Sequence, residues 1–304
     1  TVRESATVAL MWWNPARRLS EEVPLLGLPE GPSSTAPVTA GDLEDLPESV
    51  RRYFRFMGVV DRPRDSSFRA ILKGRFRPAK DADWQDITAF QYSSAAPDIA
   101  RLFYMVLSFY GLPVLGRDTY FRGEERMLVR LLDLVTVQDD RGPEFDVGEL
   151  GTWLNDAVLL APSMLLVPGV AFFEAEGTSF DVTVTDRGKS AAARVFVDAD
   201  GAPTDFVTSD RWYAPPGAKE LLRTQWSTPV RNWLDTDGRK LPGEGEAVWK
   251  FPDGEMPYAA FRFEPGDVIY NVPPDVEYWR RPSTASVFER IRGKSGSIRW
   301  GVER

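Results

Sequence analysis

The chain contains no cysteine and no histidine in 304 residues. The first absence excludes structural disulfides and thiolate metal sites. The second excludes Ser-His-Asp and Cys-His triads, histidine zinc sites and imidazole acid–base chemistry. A cysteine-free chain survives equally in an oxidising envelope and a reducing cytoplasm, so the compartment stays open. Any catalysis must rest on carboxylates, Lys, Tyr or a borrowed group, and no motif calls for a cofactor. Basic charge is also in short supply: 37 Lys and Arg stand against 45 Asp and Glu, a net charge of −8. Such a chain is a poor nucleic-acid binder unless its basic residues cluster. The local groups Arg51-Arg52-Arg55 and Arg69, Lys73, Arg75 and Arg77 read as solvated faces of a helix and a strand.

Long apolar runs are missing too. The stretch from Ala157 to Phe173 is uncharged but is broken by Pro162, Pro168 and Gly169, and it falls short of the roughly 20 residues that span a bilayer. The run from Leu102 to Gly116 is shorter. Thr7-Val-Ala-Leu-Met-Trp-Trp13, followed by Arg17-Arg18, has two readings. It is the tail of a removed membrane anchor, with Trp at the interface and basic residues beyond, or it is a loose arm packed on the body. Phosphate-loop and dinucleotide patterns are absent, and the glycines from Gly238 to Gly245 around Lys240 read as a hairpin turn. Ser163 follows Pro162 without a glycine elbow and is a poor nucleophile candidate. Asp139-Asp140 and the Asp-x-Asp-Gly segments are fragments of calcium loops without the closing Glu, better explained as turns.

What is present is strand pattern. Phe68, Ala70, Leu72, Gly74 and Phe76 share one face of a segment whose other face holds Arg69, Lys73 and Arg75, the alternation of an antiparallel sheet with one wet side. Further strands are expected at 84–92, 101–110, 114–122, 126–137, 170–175, 179–185, 191–197, 204–213, 222–233, 244–251 and 257–264. Asp and Gly turn clusters separate several of them. For 101–110 a buried helix is the competing reading, because both faces are apolar. A short helix is expected from Pro47 to Gly58. A second is expected from about Val147 to Ala161, N-capped by Asp146 with Glu149 completing a capping box and stopped by Pro162. The expected fold is therefore mainly β (α+β): a strongly curved antiparallel sheet or open half-barrel with an N-terminal helix and one inserted helix. Residues 1–41, rich in Pro, Gly and Ser from 24 onward, read as a poorly packed arm and linker. Residues 42–280 read as one β-rich domain, and 281–304 as a loosely ordered tail.

A set of motifs gives the chain a resemblance. They are Leu46-Pro47 with Val50, Tyr53 and Phe54; Gly74-x-Phe76; Trp84 with Ala89 and Gln91; Asp118-x-Tyr120-x-x-Gly123; and Leu154-x-Asp156-Ala157 before Pro162. Trp226, Asp237-Gly238, Leu241-Pro242 and Glu246-Ala247-x-Trp249 follow, closing at Tyr258 and Tyr270. Over about residues 42–271 the chain resembles an uncharacterised, largely actinobacterial protein family of unknown function. It departs from the family pattern in having Asp156 where Glu is usual, a proline placed one residue further on, and Leu for the aromatic ahead of that proline. The resemblance implies no established activity. Members often begin with membrane helices, which favours the anchor reading. The element order also looks like that of LolA-type lipoprotein carriers, in which a curved sheet wraps helices and holds acyl chains, a fold-level analogy only.

Three functions follow. The first is a cell-envelope binding protein for a lipid or other apolar ligand, membrane-anchored or extracytoplasmic, its site enclosed by the sheet and the inserted helix. Phe103, Met105, Leu107, Phe109, Trp153 and Leu159 would line it. The second is a structural or interaction protein of an envelope assembly. The third is a carboxylate-based hydrolase using Asp118, Asp156 or Glu246, with Glu144 a further candidate; nothing in the sequence asks first for an enzyme. The ten Trp and eighteen Phe suit a core or a cavity equally. Asp156, set among apolar neighbours, is expected to hold the inserted helix by pairing with an Arg or with backbone amides.

Overall fold

The alternation in Phe68–Phe76 becomes the first strand, β1 (Ser67–Phe76), of an antiparallel meander. The computed structural model describes residues 14–29, 31, 36–109, 112–215 and 220–271. After β1 come β2 (Gln85–Ser94), β3 (Ala100–Phe109), β4 (Leu112–Phe121), β5 (Glu124–Leu131) and β6 (Val135–Asp140). Each pairs antiparallel with the one before it. A second run holds β7 (Val170–Glu174), β8 (Ser179–Asp186), β9 (Lys189–Val197), β10 (Pro203–Thr208) and the short β11 (Trp212–Tyr213) and β12 (Leu222–Arg223). It continues with β13 (Gln225–Ser227), β14 (Val230–Arg231), β15 (Leu234–Thr236), β16 (Arg239–Leu241), β17 (Glu244–Phe251), β18 (Gly254–Arg262) and β19 (Val268–Tyr270). Pairing of β1 with β18 joins the two runs into one fifteen-stranded sheet that ends at β6 and β7, so it is curved and open rather than closed, while β11–β12 and β15–β16 form two separate two-stranded pairs.

Among the described residues there are three α-helices: α1 (Pro15–Leu25), α2 (Glu48–Phe56) and α3 (Pro143–Leu160). α3 lies inside the curve, where Leu150, Trp153, Leu154, Ala157 and Val158 join one core with Phe180, Val182, Val195 and Phe206 from β8, β9 and β10 and with Tyr53 and Phe54 from α2. It starts four residues earlier than the sequence suggests, because Pro143 supplies a preset first turn. Asp146 therefore does not cap it; its carboxylate accepts from the Glu125 N–H at 2.7 Å and pairs with Lys189 at 3.0 Å. Glu149 is not part of a capping box either.

The segment expected at 101–110 is a strand as far as residue 109, the last of it that is described. Both its faces are covered at its base because the opposite, convex side carries α1. There Ala16, Leu19 and Val23 pack on Ile71, Phe90, Tyr92, Leu102, Tyr104 and Leu115 as a second core. Pro15–Leu25 thus departs from the loose arm expected of residues 1–41: three apolar residues at helical spacing bind it to the sheet. Asn14 caps it, accepting from Arg17 N–H at 3.1 Å. Residues 1–13 and the tail from 272 lie outside the described residues. The expected strand 126–137 divides into β5 and β6 around Leu132-Asp133-Leu134, and 222–233 breaks at Thr228-Pro229. Among the described residues no helix is long and apolar enough to cross a membrane.

Candidate functional site

Strand register brings residues far apart in sequence into rows on the concave face. Phe68, Ser93, Arg101, Tyr120 and Glu125 form one row, and Ala70, Gln91, Phe103, Asp118 and Met127 the next. Beyond these lie Leu72, Ala89, Met105, Gly116 and Val129, then Leu107, Val114 and Leu131. The first row meets α3 and is buried. Farther along, Leu72, Phe103, Met105, Leu107, Met127, Val129 and Leu131 are only half-buried. The concave face therefore runs from a closed polar base under α3 to a partly exposed apolar surface.

The base is organised by Arg101, whose side chain is 7% exposed. Its Nε donates to Asp156 at 2.7 Å, and one terminal nitrogen donates to Glu149 at 2.5 Å and reaches Asp118 at 3.5 Å. Gln91 donates to the same Asp156 oxygen at 2.8 Å. Burial opposes charge on Arg101, but Glu149, Asp156 and Asp118 together outweigh it and hold the guanidinium firmly protonated. The carboxyl of Glu149 is pushed up to about 7, first by burial, against the pull of Arg101 and with the push of Asp118. Glu125 is pushed up to about 10 by burial, by the charges of Asp118 and Glu149, and by a hydrogen bond with Asp118. Glu125 is thus a neutral acid at physiological pH, which suits a pocket in which four carboxyls face the guanidiniums of Arg101 and Arg211.

The structure brings Asp118 and Asp156 together on Arg101 and leaves Glu246 elsewhere, beside Arg231 at 3.5 Å on the surface. Glu144 is exposed in the first turn of α3. Phe103, Met105 and Leu107 share the open face, whereas Trp153 and Leu159 are in the closed core. The side chain of Phe109 lies outside the described residues. Ser163 donates to Asp65 at 2.6 Å in a buried pair with Arg239 and has no basic partner to activate it. Among the described residues no group of three or more carboxylates is placed to hold a metal ion. Sequence reasoning missed Arg101, Glu149, Glu125 and Gln91 as members of the site. A lone Arg opening an apolar strand and a lone Glu between Gly148 and Leu150 were the available signals.

Residues 36–261 match the sequence profile described as Family of unknown function (DUF6544). The chain belongs to this family. The DUF6544 region spans β1–β17 and nearly all of β18, with the whole concave face. No curated protein matches the chain. Among solved structures it is similar to a domain described as an outer membrane lipoprotein-sorting protein from Vibrio parahaemolyticus, at 10% identity and TM-score 0.38, covering 72% of this chain and 91% of that one. It is also similar to a LolA-superfamily protein from Nitrosomonas europaea at 14% identity and TM-score 0.35, covering 77% and 94%. A DUF1329 family protein from Desulfovibrio piger gives 12% identity and TM-score 0.36, covering 72% and 91%. Similarity this low says nothing about a ligand.

Proposed function

We propose that this DUF6544 protein binds an apolar ligand, a lipid acyl chain or a molecule of like chemistry, in the concave trough of β1–β5. One observation carries the reading: Leu72, Phe103, Met105, Leu107 and Val129 form a continuous apolar surface that α3 leaves half open. A core would close such a surface, and contiguous apolar area kept in water marks a binding site. Gly116 supports it, because the floor beneath Met105 has no side chain there. Such a ligand puts the protein's work at the cell envelope. The convergence of Asp118 and Asp156 on Arg101 favours an ion-pair brace over a hydrolase, and an interaction protein is the alternative if no ligand binds.

The test is titration of the full chain with a fluorescent fatty acid. A Cβ at Gly116 would meet nothing closer than Met105 at 3.8 Å, so Gly116→Leu fills the trough without a clash at the backbone. The variant should unfold at the wild-type urea midpoint and bind about tenfold more weakly. A wild type that binds no fatty acid, or a variant that binds as well as wild type, refutes the reading.

A further inference from the structure

The open end of the trough is bounded by the start of β4 at Leu112 and by the β5–β6 turn. They are tied together by the Leu132 N–H donating to Pro113 O at 3.0 Å. Exposed apolar side chains gather there: Leu112 at 44%, Leu132 at 37% and Leu134 at 77%, with Val135 and Val137 exposed along β6. Just inside, Leu107 pairs with Val114 and Val114 with Leu131, so this end continues the trough without a polar break.

The turn itself is chemically out of place. Leu132 and Asp133 are both left-handed, at φ 51° and 52°, and the Leu134 N–H closes the turn on Leu131 O at 3.0 Å. Among the described residues three other pairs of consecutive left-handed residues occur, Arg122-Gly123, Arg187-Gly188 and Asp237-Gly238, and each ends in glycine. Asn-Gly or Asp-Gly would make the Leu132 turn at lower cost. Instead it carries a leucine at a strained position and a second leucine in full view of water. Neither adds to a core. A strained outlier with no structural return points to function.

The occupant of this surface follows from where the chain enters the fold. The first turn of α1 is held at this same end by the ion pair of Arg18 with Asp133. The sequence that leads into it, Thr7-Val-Ala-Leu-Met-Trp-Trp13, is uncharged over seven residues and ends in paired tryptophans ahead of Arg17-Arg18, a composition suited to a membrane interface. The nearby charges are largely paired, Arg18 and Arg130 both with Asp133 and Arg17 with Glu21, so the surface offers apolar area beside a single excess positive charge.

We propose that Leu112, Leu132 and Leu134 dock this end of the protein on a lipid bilayer by inserting into its interfacial layer. The inference deepens the apolar-ligand reading, since it turns the mouth of the trough toward the membrane. It is tested by floating the full chain with phosphatidylcholine vesicles. The wild type should co-float, and it should do so in about 0.5 M salt, where charge attraction is screened within a few ångström. The double variant Leu132→Asn, Leu134→Asp should partition about tenfold less. Asn suits a left-handed residue, so the variant should unfold no earlier than wild type, and its fatty-acid binding in solution should be unchanged.

Absence of wild-type flotation, loss of it in salt, or a variant that floats equally would overturn the docking. Fatty-acid binding that persists without flotation leaves the trough reading standing and the docking refuted. Flotation abolished in the variant, with no fatty-acid binding by either chain, does the reverse. A wild-type dimer in sedimentation that the variant dissociates, with no vesicle binding, assigns the surface to a second copy and overturns the docking.

Discussion

Arg101 on β3 and Asp156 on α3 meet through a 2.7 Å hydrogen bond that pins the inserted helix to the concave face. Glu149, about two turns earlier on the same helix face, grips the other side of the guanidinium at 2.5 Å. Replacing Arg101 with Leu would leave Glu149 and Asp156 without the guanidinium that bridges them. Breaking a buried pair in this way costs about 3–5 kcal/mol. Urea denaturation should show that loss for Arg101→Leu and a smaller one for Asp156→Ala, which leaves Arg101 with Glu149. By contrast Glu246→Ala should stay within about 0.5 kcal/mol, as surface substitutions do. Equal effects for Arg101→Leu and Glu246→Ala would show that the pair does not brace the helix.

The same pocket fixes the sign of the pH dependence. Glu149 and Glu125 have an ordinary value of 4.5 and are raised in the fold to about 7 and about 10. Above 4.5 the unfolded chain releases these protons while the folded chain keeps them. Stability must therefore fall as pH rises, through about 7 for Glu149 and on toward about 10 for Glu125, and level off beyond. Glu125→Gln keeps a hydrogen-bond donor to Asp118 and cannot ionise. Its urea midpoint should fall less than wild type between about pH 7 and about pH 10. A wild-type midpoint that rises across this range contradicts the raised values.

Much of this architecture was legible in the sequence, and the failures have physical causes. Alternation exposed β8 and β9 because one face of each is wetter; β1 alternates as well, but its outer face is not the wet face expected, since Arg69 is buried and Ile71 lies under α1. Asp-Gly and Arg-Gly pairs announced several of the turns. The β5–β6 turn was invisible because Leu132 stands where glycine belongs, and that same departure marks the docking end. α1 escaped notice because Ala16, Leu19 and Val23 alone make a weak helical stripe, and its stability comes from the convex side of β2 and β3. Of the polar candidates, Asp118 and Asp156 belong to one cluster and Glu246 does not. Spacing along the chain cannot show this, since register alone sets Asp118 beside Phe103, two residues from Arg101 on the same strand face.

The docking of α1 predicts a measurable coupling between termini and core. Leu19 and Val23 are fully buried against Phe90, Tyr92 and Leu102. Leu19→Ala should lower stability by about 2–5 kcal/mol if α1 unfolds together with the sheet. Hydrogen exchange would then show the amides of α1 and β3 opening together. Rapid exchange in α1 alone, with unchanged protection in β3, would make it an independently fraying element.

The last turn of α3 rests on two tyrosines from distant parts of the chain. A helix leaves its final carbonyls without partners, and Pro162 cannot donate to one. The Ala161 N–H reaches back to Ala157 O at 3.1 Å. Val158 O accepts instead from the Tyr53 hydroxyl of α2 at 2.8 Å, and Leu160 O from the Tyr270 hydroxyl of β19 at 2.8 Å. Tyr53 and Tyr270 thus tie the first and last parts of the described domain to one helix end. Tyr53→Phe and Tyr270→Phe each remove one oxygen and strand one buried carbonyl, at a cost of about 1–3 kcal/mol. The two acceptors lie in the same turn, so the double variant should lose a different amount than the sum of the single losses, because fraying of that turn releases both carbonyls at once. Urea midpoints of the four proteins measure the coupling. Strict additivity would mean that the turn holds without the hydroxyls and that the tyrosines serve only to fill the core.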